Sequence, residues 1–187
     1  MDLNMLNDMK DEVIHYFAYG SNLSSARFFK RVSSAKLVAT GYLLQHRLCF
    51  HKVGSDGSAK CDAFHTGNDK DVVMGAIYAM PEIEKAKLDS IEGVDSGYEE
   101  STVSIVTSSG NSLPAILYRA TNIDTGLKPF HWYKGHVLIG AREHDFPPEY
   151  IERFLTVESV QDPDMERAEK ELAIHGLGQR DMFARVR

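Results

Sequence analysis

Residues 17–23 read Phe17-Ala18-Tyr19-Gly20-Ser21-Asn22-Leu23, and the rest of the chain is organised around them. The aromatic, apolar run at residues 14–19 predicts a strand. Gly20 stops it, because glycine admits backbone angles closed to other residues. Ser21 and Asn22 follow, and Ser24-Ser25 then introduce a short helix over residues 26–31. A strand, a glycine turn and a helix start in succession aim several N–H groups at one spot, a seat for a carboxylate or a polarised carbonyl oxygen. The same residue types also make an ordinary strand-to-helix connection. The turn gains a function only if a reactive group elsewhere faces it.

Outward from the turn, strands dominate. Residues 35–42 predict a strand with Gly41 interrupting its end. Leu44, His46, Leu48 and Phe50 alternate with polar residues, the period of a half-buried strand. Residues 53–58 are a loop by composition. A short strand at 61–66 and a turn at 67–69 lead into residues 72–80, whose mostly apolar run predicts a buried strand. Residues 102–107 and 113–119 form a hairpin around Ser108-Ser109-Gly110-Asn111, with Pro114 near a strand start where a lost donor is tolerable. Residues 121–129 read as a loop. Helices follow: 131–142, weakened by Gly135 and Gly140, and one opened by Pro147-Pro148 in which Ile151, Phe154 and Leu155 share a face. Asp162-Pro163-Asp164 caps a last helix that ends near Gly176 and turns mostly toward water. Residues 1–12 suggest a frayed helix or a tail. Strands first and helices later is α+β order, and the expected architecture is a curved or closed sheet with helices outside.

A helix is also expected between the strands, starting at Pro81 and stopping at Gly93. Ile83, Leu88 and Ile91 fall within an arc of roughly 140° on it. This places Glu92 on the last turn, beside unpaired carbonyls and the negative end of the helix dipole. Both disfavour an ionised carboxyl, and a carboxyl raised toward neutrality can take a proton and return it. Solvated glutamates before a glycine are also common, so Glu92, like the turn, needs a partner.

The totals narrow the classes. The 187 residues suffice for one domain with a real core. Hydrophobic residues make up 43% and charged residues 26%, which argues against disorder. The net charge is −6 without a basic stripe, so no nucleic-acid partner is expected. No apolar run is long enough to cross a bilayer, and residues 1–12 lack the pattern of a signal peptide. Cys49 and Cys61 are too few for a disulfide scaffold. The expectation is a soluble cytoplasmic domain. Cys49, His51, Cys61 and His65 match no common zinc spacing; a hairpin with buried thiols and half-exposed imidazoles is expected there, and no metal. His131, His136 and His144 lack the i, i+4 spacing of paired ligands on one helix. Gly-x-Ser-x-Gly and phosphate-loop glycines are absent, so neither a serine elbow at Ser21 nor nucleotide binding has support. No cofactor is expected.

Taken together, Tyr19-Gly20-Ser21-Asn22-Leu23 and Ile91-Glu92-Gly93-Val94-Asp95-Ser96-Gly97-Tyr98 resemble the γ-glutamylcyclotransferase family, including the AIG2-like proteins. Residues 37–48 around Gly41-Tyr42, the strand Val73-Met74-Gly75-Ala76-Ile77-Tyr78, and Tyr133-Lys134 with Ile139-Gly140-Ala141-Arg142-Glu143 and Pro147-Pro148-Glu149-Tyr150 agree in order and spacing. The likeness spans about residues 16–155.

The resemblance implies a small mixed β-barrel surrounded by helices, a domain over residues 13–160, and a C-terminal helical extension over 161–187. It implies an enzyme of the transferase or lyase class that cyclises a γ-glutamyl amine, amino acid or peptide to 5-oxoproline and frees the amine. Glu92 would be its catalytic residue. Tyr19, Gly20, Ser21, Asn22 and Leu23 would form the substrate loop, with Tyr98, Tyr118 and Tyr133 as pocket tyrosines. The small-molecule γ-glutamyl substrate is the expected partner; oligomeric state is open. The alternative is a non-catalytic AIG2-like binding or interaction module.

Two features depart from the pattern. Glu99-Glu100 should make the pocket more acidic. The basic group for an α-carboxylate is unassigned among Arg27, Arg47, Arg119 and Arg142.

Overall fold

The protein is described by a computed structural model covering residues 12–94 and 96–177. The sequence expectation for residues 1–11 lies outside the described residues, as does Asp95. Strand β1 (Val13–Ala18) runs into a 3-10 turn at Ser21–Leu23 and then α1 (Ser25–Arg31). The Ser24 side chain caps α1 by accepting from the Arg27 N–H. Strands β2 (Lys36–Leu44), β3 (His46–Val53), β4 (Ala59–His65) and β5 (Val72–Pro81) follow. Helix α2 (Lys85–Glu92) separates them from β6 (Tyr98–Thr107) and β7 (Ser112–Ala120). Helices α3 (His131–Glu143), α4 (Pro148–Leu155) and α5 (Met165–Ala173) complete the described chain.

Five strands close into a barrel in the order β1-β5-β2-β6-β7, and β3 and β4 form a separate two-stranded sheet. Antiparallel ladders join β5 to both β1 and β2, while β1 meets β7 in parallel at Tyr16 and Ile116. The barrel is therefore mixed, as expected. Strand β5 is flanked on both edges, which explains its near-continuous apolar run: Val73, Ala76, Ile77, Tyr78 and Met80 are buried. These side chains share one core cluster with Phe17, Phe28, Ile105, Leu117 and Leu138.

The β3–β4 hairpin is fastened to the barrel by polar groups. Asp62 accepts from the Ala120 N–H at 2.8 Å through one oxygen and pairs with His51 Nε2 at 2.8 Å through the other. His51 is therefore buried, not half-exposed, whereas His65 is exposed and Cys49 half-buried. Among the described residues no group of three His, Cys, Asp or Glu side chains is arranged to hold a metal. No described helix is long and apolar enough to cross a membrane.

Three expectations need correction. Pro81 ends β5 opposite Val13 and does not begin a helix; a 3-10 turn at Glu82–Glu84 intervenes. That tighter turn breaks the 100° phase at Ile83, which is exposed; Leu88 is buried, and Ile91, although in the helix with it, is exposed as well. Strand β6 also starts earlier than its alternation suggested. Arg119 pairs with Glu99 across the ladder, and Lys85 with Glu100, so the acidic pair sits within a strand. The last helix stops at Ala173, before Gly176. It buries Ala168 and Leu172 in the common core and leaves most of its other side chains toward water.

Gly140 has a structural reason to be glycine. A Cβ there would stand 2.5 Å from the Leu23 carbonyl carbon and the Ser24 nitrogen. Helix α3 thus presses directly on the turn that follows β1, and the His144 ring meets the Leu23 carbonyl at 3.0 Å. Ala would improve helix propensity by about 1 kcal/mol, but it would overpack this contact by about 1–3 kcal/mol. Gly140→Ala should lower the unfolding midpoint by a few degrees. A midpoint that rises, as propensity alone would give, would contradict the close approach.

Asp162 anchors the chain ahead of α5. It is buried and accepts from Arg167, from Trp132 Nε1 at 2.7 Å and from the Asp164 N–H at 2.9 Å. The Arg167 hydrogen bonds hold its carboxyl down to about 2, with help from Trp132 and against the opposing effect of burial. A carboxyl lowered on folding contributes stability above its unfolded value of about 4 and loses it as pH falls toward 2. Asp162→Asn should cost about 1–3 kcal/mol at pH 7. In denaturation curves at stepped pH, the gap between variant and wild type should shrink between about pH 4 and 2. A gap independent of pH would refute the assignment.

Candidate active site

The turn after β1 and the end of α2 meet. Gly93, at φ 73°, terminates α2 in the left-handed conformation and leaves Glu92 on its last turn. The Glu92 carboxylate lies against the turn: its Oε1 accepts from Asn22 Nδ2 at 2.7 Å and from Arg31 Nη1 at 2.8 Å. Arg31 also donates to Asn22 Oδ1 at 2.9 Å, and Asn22 Nδ2 donates to the Tyr16 hydroxyl at 3.0 Å. Glu92 Oε2 accepts no hydrogen bond from the described residues. The partners of this carboxylate are thus an amide and a guanidinium. The sequence reading, which considered only the helix end, missed both.

A recess of about 20 Å³, the room of one water, lies between Glu92 and the turn. Tyr19, Gly20, Ser21, Asn22, Tyr98, Tyr118 and Tyr133 line it, all sequence candidates; Tyr16 and Cys61 join them. Leu23 does not. Its side chain is buried in the core, and its N–H is bound to the Gly20 carbonyl at 3.0 Å. The turn's remaining donors are the N–H groups of Gly20, Ser21 and Asn22. Gly20 has a negative φ of −102°, so the reason for glycine is space rather than handedness. A Cβ there would meet Cys61 Cβ at 3.1 Å and the Tyr133 hydroxyl at 3.4 Å.

The tyrosines are both packed and satisfied. The Tyr98 hydroxyl donates to the Cys61 carbonyl at 2.5 Å, and the Tyr133 hydroxyl accepts from the Cys61 N–H at 2.9 Å. The β4 backbone therefore fixes both phenols. Tyr118 donates to Asp89 at 2.6 Å, and the Tyr19 hydroxyl donates to the Tyr118 carbonyl. Burial pushes the phenols of Tyr16, Tyr19, Tyr98, Tyr118 and Tyr133 well up, and Glu92 adds to this at all of these but Tyr19. Burial also raises the Cys61 thiol. These groups stay neutral at ordinary pH, which leaves Glu92 as the carboxylate in the recess lining.

A larger cavity of about 450 Å³ adjoins the recess and shares Ser21, Glu92, Tyr98 and Tyr133 with it. Its cations are Arg27, Arg31, Lys52 and Lys60. Of the four arginines singled out in the sequence, only Arg27 reaches this space. Arg47 pairs with Asp71 and Arg119 with Glu99, and Arg142 lines neither cavity. Arg31 stands four residues after Arg27 on α1, a spacing that puts both on one face and could have identified it. Glu99 and Glu100 line neither cavity, so the expected acidity does not reach the pocket.

Comparisons with known proteins identify relatives of the chain and of its fold. The profile of the AIG2-like family matches residues 72–154. The chain is 31% identical over 155 residues to human gamma-glutamylcyclotransferase, covering 79% of this chain and 80% of that protein. It is 30% identical over 160 residues to the cattle protein of the same name, covering 82% and 83%. A solved structure of a gamma-glutamyl cyclotransferase superposes with a TM-score of 0.75 at 25% identity, covering 94% of this chain and 98% of that one. A crystal structure of an uncharacterized human protein superposes with a TM-score of 0.74 at 28% identity, covering 84% and 98%. The chain belongs to the γ-glutamylcyclotransferase family.

Proposed function

We propose that this protein cyclises a γ-glutamyl compound to 5-oxoproline and releases the amine that the glutamyl unit carried. The observation that carries this reading is the state of Glu92. One carboxylate oxygen is held by Asn22 and Arg31, the other accepts no hydrogen bond from the described residues, and the side chain lines a space bounded by the turn. The relatives' shared name supports the same reaction class.

The chemistry needs no protein nucleophile. The α-amine of the glutamyl unit attacks its own γ-carbonyl, forming the lactam C–N bond, and the bond from that carbon to the departing nitrogen breaks. Folding the glutamyl chain back on itself brings the reacting atoms together, and this orientation removes much of the barrier. The α-amine arrives protonated. Glu92 takes its proton through Oε2 and delivers a proton to the departing nitrogen. The fixed Oε1 keeps the carboxylate from rotating away between the two transfers. The N–H groups of Gly20, Ser21 and Asn22 hold the α-carboxylate or the developing oxyanion. The neutral phenols of Tyr98, Tyr118 and Tyr133 wall the space and limit water.

The test is a panel of γ-glutamyl amino acids, amines and peptides, with 5-oxoproline measured as product. Turnover of at least one compound is expected. Glu92→Gln, which keeps the shape and the bonds at one oxygen but cannot accept the proton, should lower kcat by about 10²–10⁴. A variant that cyclises at the wild-type rate would remove Glu92 from the reaction. Binding without turnover across the panel would replace the enzyme with a binding module.

A further inference from the structure

The larger cavity has a lysine that the fold leaves without a carboxylate partner among the described residues. Three of its four cations have carboxylate partners: Arg31 on Glu92, Arg27 on Glu171, and Lys60 on Asp56 at 2.6 Å. Lys52 has none. Its ammonium makes no hydrogen bond or ion pair with any described residue, although the residue is only 6% exposed. It lies 4.4 Å from the centre of the Tyr98 ring. A ring face orients an ammonium but supplies no full counter-charge. The stem is covered while the ammonium borders the open cavity, so a carboxylate brought in by a bound molecule can pair with it at the cost of little further desolvation.

Its position indicates which part of a substrate would do so. Tyr98 borders both spaces, whereas Lys52, beside its ring, borders the larger cavity and not the recess. The recess side already offers the turn's N–H groups to the glutamyl unit. The cavity side is where the departing portion extends, and its unmatched charge is positive.

We infer that Lys52 is a specificity-determining residue that receives a carboxylate on the departing amine, so that γ-glutamyl amino acids and peptides are preferred over γ-glutamyl amines. The inference rests on the cyclotransferase reading of the site. A departing amine with its own cation would meet Lys52 with like charge, and a neutral one would leave the ammonium unpaired.

A matched pair of substrates tests this. γ-Glutamylalanine and γ-glutamylethylamide differ by one carboxylate on the departing group. Wild type should favour the acid by about 10- to 100-fold in kcat/KM, the effect of one hydrogen bond to a charged group. Lys52→Met keeps the stem over Tyr98 and removes the charge. It should lower kcat/KM for the acid until the two substrates lie within about 3-fold of each other, with the ethylamide unchanged. Lys52→Arg should keep most of the preference. If Lys52→Met does not fold, Lys52→Gln serves the same comparison, and the wild-type preference can be read without any variant. Equal use of both substrates by wild type would overturn the inference. So would an equal loss for both in Lys52→Met, which would place the ammonium on the glutamyl unit or in the fold. Either result leaves the cyclisation reading intact. If no γ-glutamyl compound is cyclised at all, that reading falls and the inference with it.

Discussion

The site depends on one carboxylate oxygen with two donors. Glu92 Oε1 joins the end of α2 to Asn22 in the turn and to Arg31 in α1. Sixty-one residues of chain separate Arg31 from Glu92. An exposed ion pair contributes little to stability, but here both side chains are largely covered, 22% and 16% exposed, and an amide completes the geometry. The more important consequence is orientation. With one oxygen fixed by two donors, the carboxylate is held at the recess lining and the side chain gives up its rotational freedom.

Pressure from behind makes this arrangement rigid. Helix α3 sits against the turn at Gly140, so the backbone of Leu23 and Ser24 cannot retreat from the recess. On the opposite wall, the β3–β4 hairpin holds Tyr98 and Tyr133 through the two backbone groups of Cys61. The barrel thus supplies one wall and the hairpin another, and a residue of each is held by hydrogen bonds that reach across the join. Helix α5 reinforces the larger cavity in the same way: Glu171 pairs with Arg27 and with the fully buried His136, whose own pKa burial lowers to about 3. A neutral imidazole beside a guanidinium avoids placing two like charges in one enclosed space.

Much of the fold was legible because its signals are local. The alternation from His46 to Phe50, the glycine turn at 108–111 and the cap within Asp162-Pro163-Asp164 each rest on neighbours within a few residues, and the structure contains a strand, a hairpin and a helix start there, although Leu44 ends β2 and a turn at Gln45 separates it from β3. The misreadings have equally local causes. Pro81 suits a strand end as well as a helix start, because neither position needs its missing N–H. The phase of Ile83 failed because a 3-10 turn advances 120° per residue instead of 100°. The acidic pair looked like a pocket feature because its partners, Arg119 and Lys85, lie on other elements.

For the candidate site, the sequence by itself offered a glycine turn rich in N–H donors and a glutamate at a helix end stopped by Gly93; Tyr98, Tyr118 and Tyr133 came from the family resemblance. Residue type and spacing carry the turn and the helix end, since they govern turn chemistry and helix termination. Only the tertiary structure decided that these parts face one another. It also paired Arg31 with Glu92, withdrew Leu23 into the core, and left Lys52 buried without a carboxylate. Such charge pairings depend on distances of about 3 Å between residues far apart in the chain, and those distances exist only after the barrel has closed.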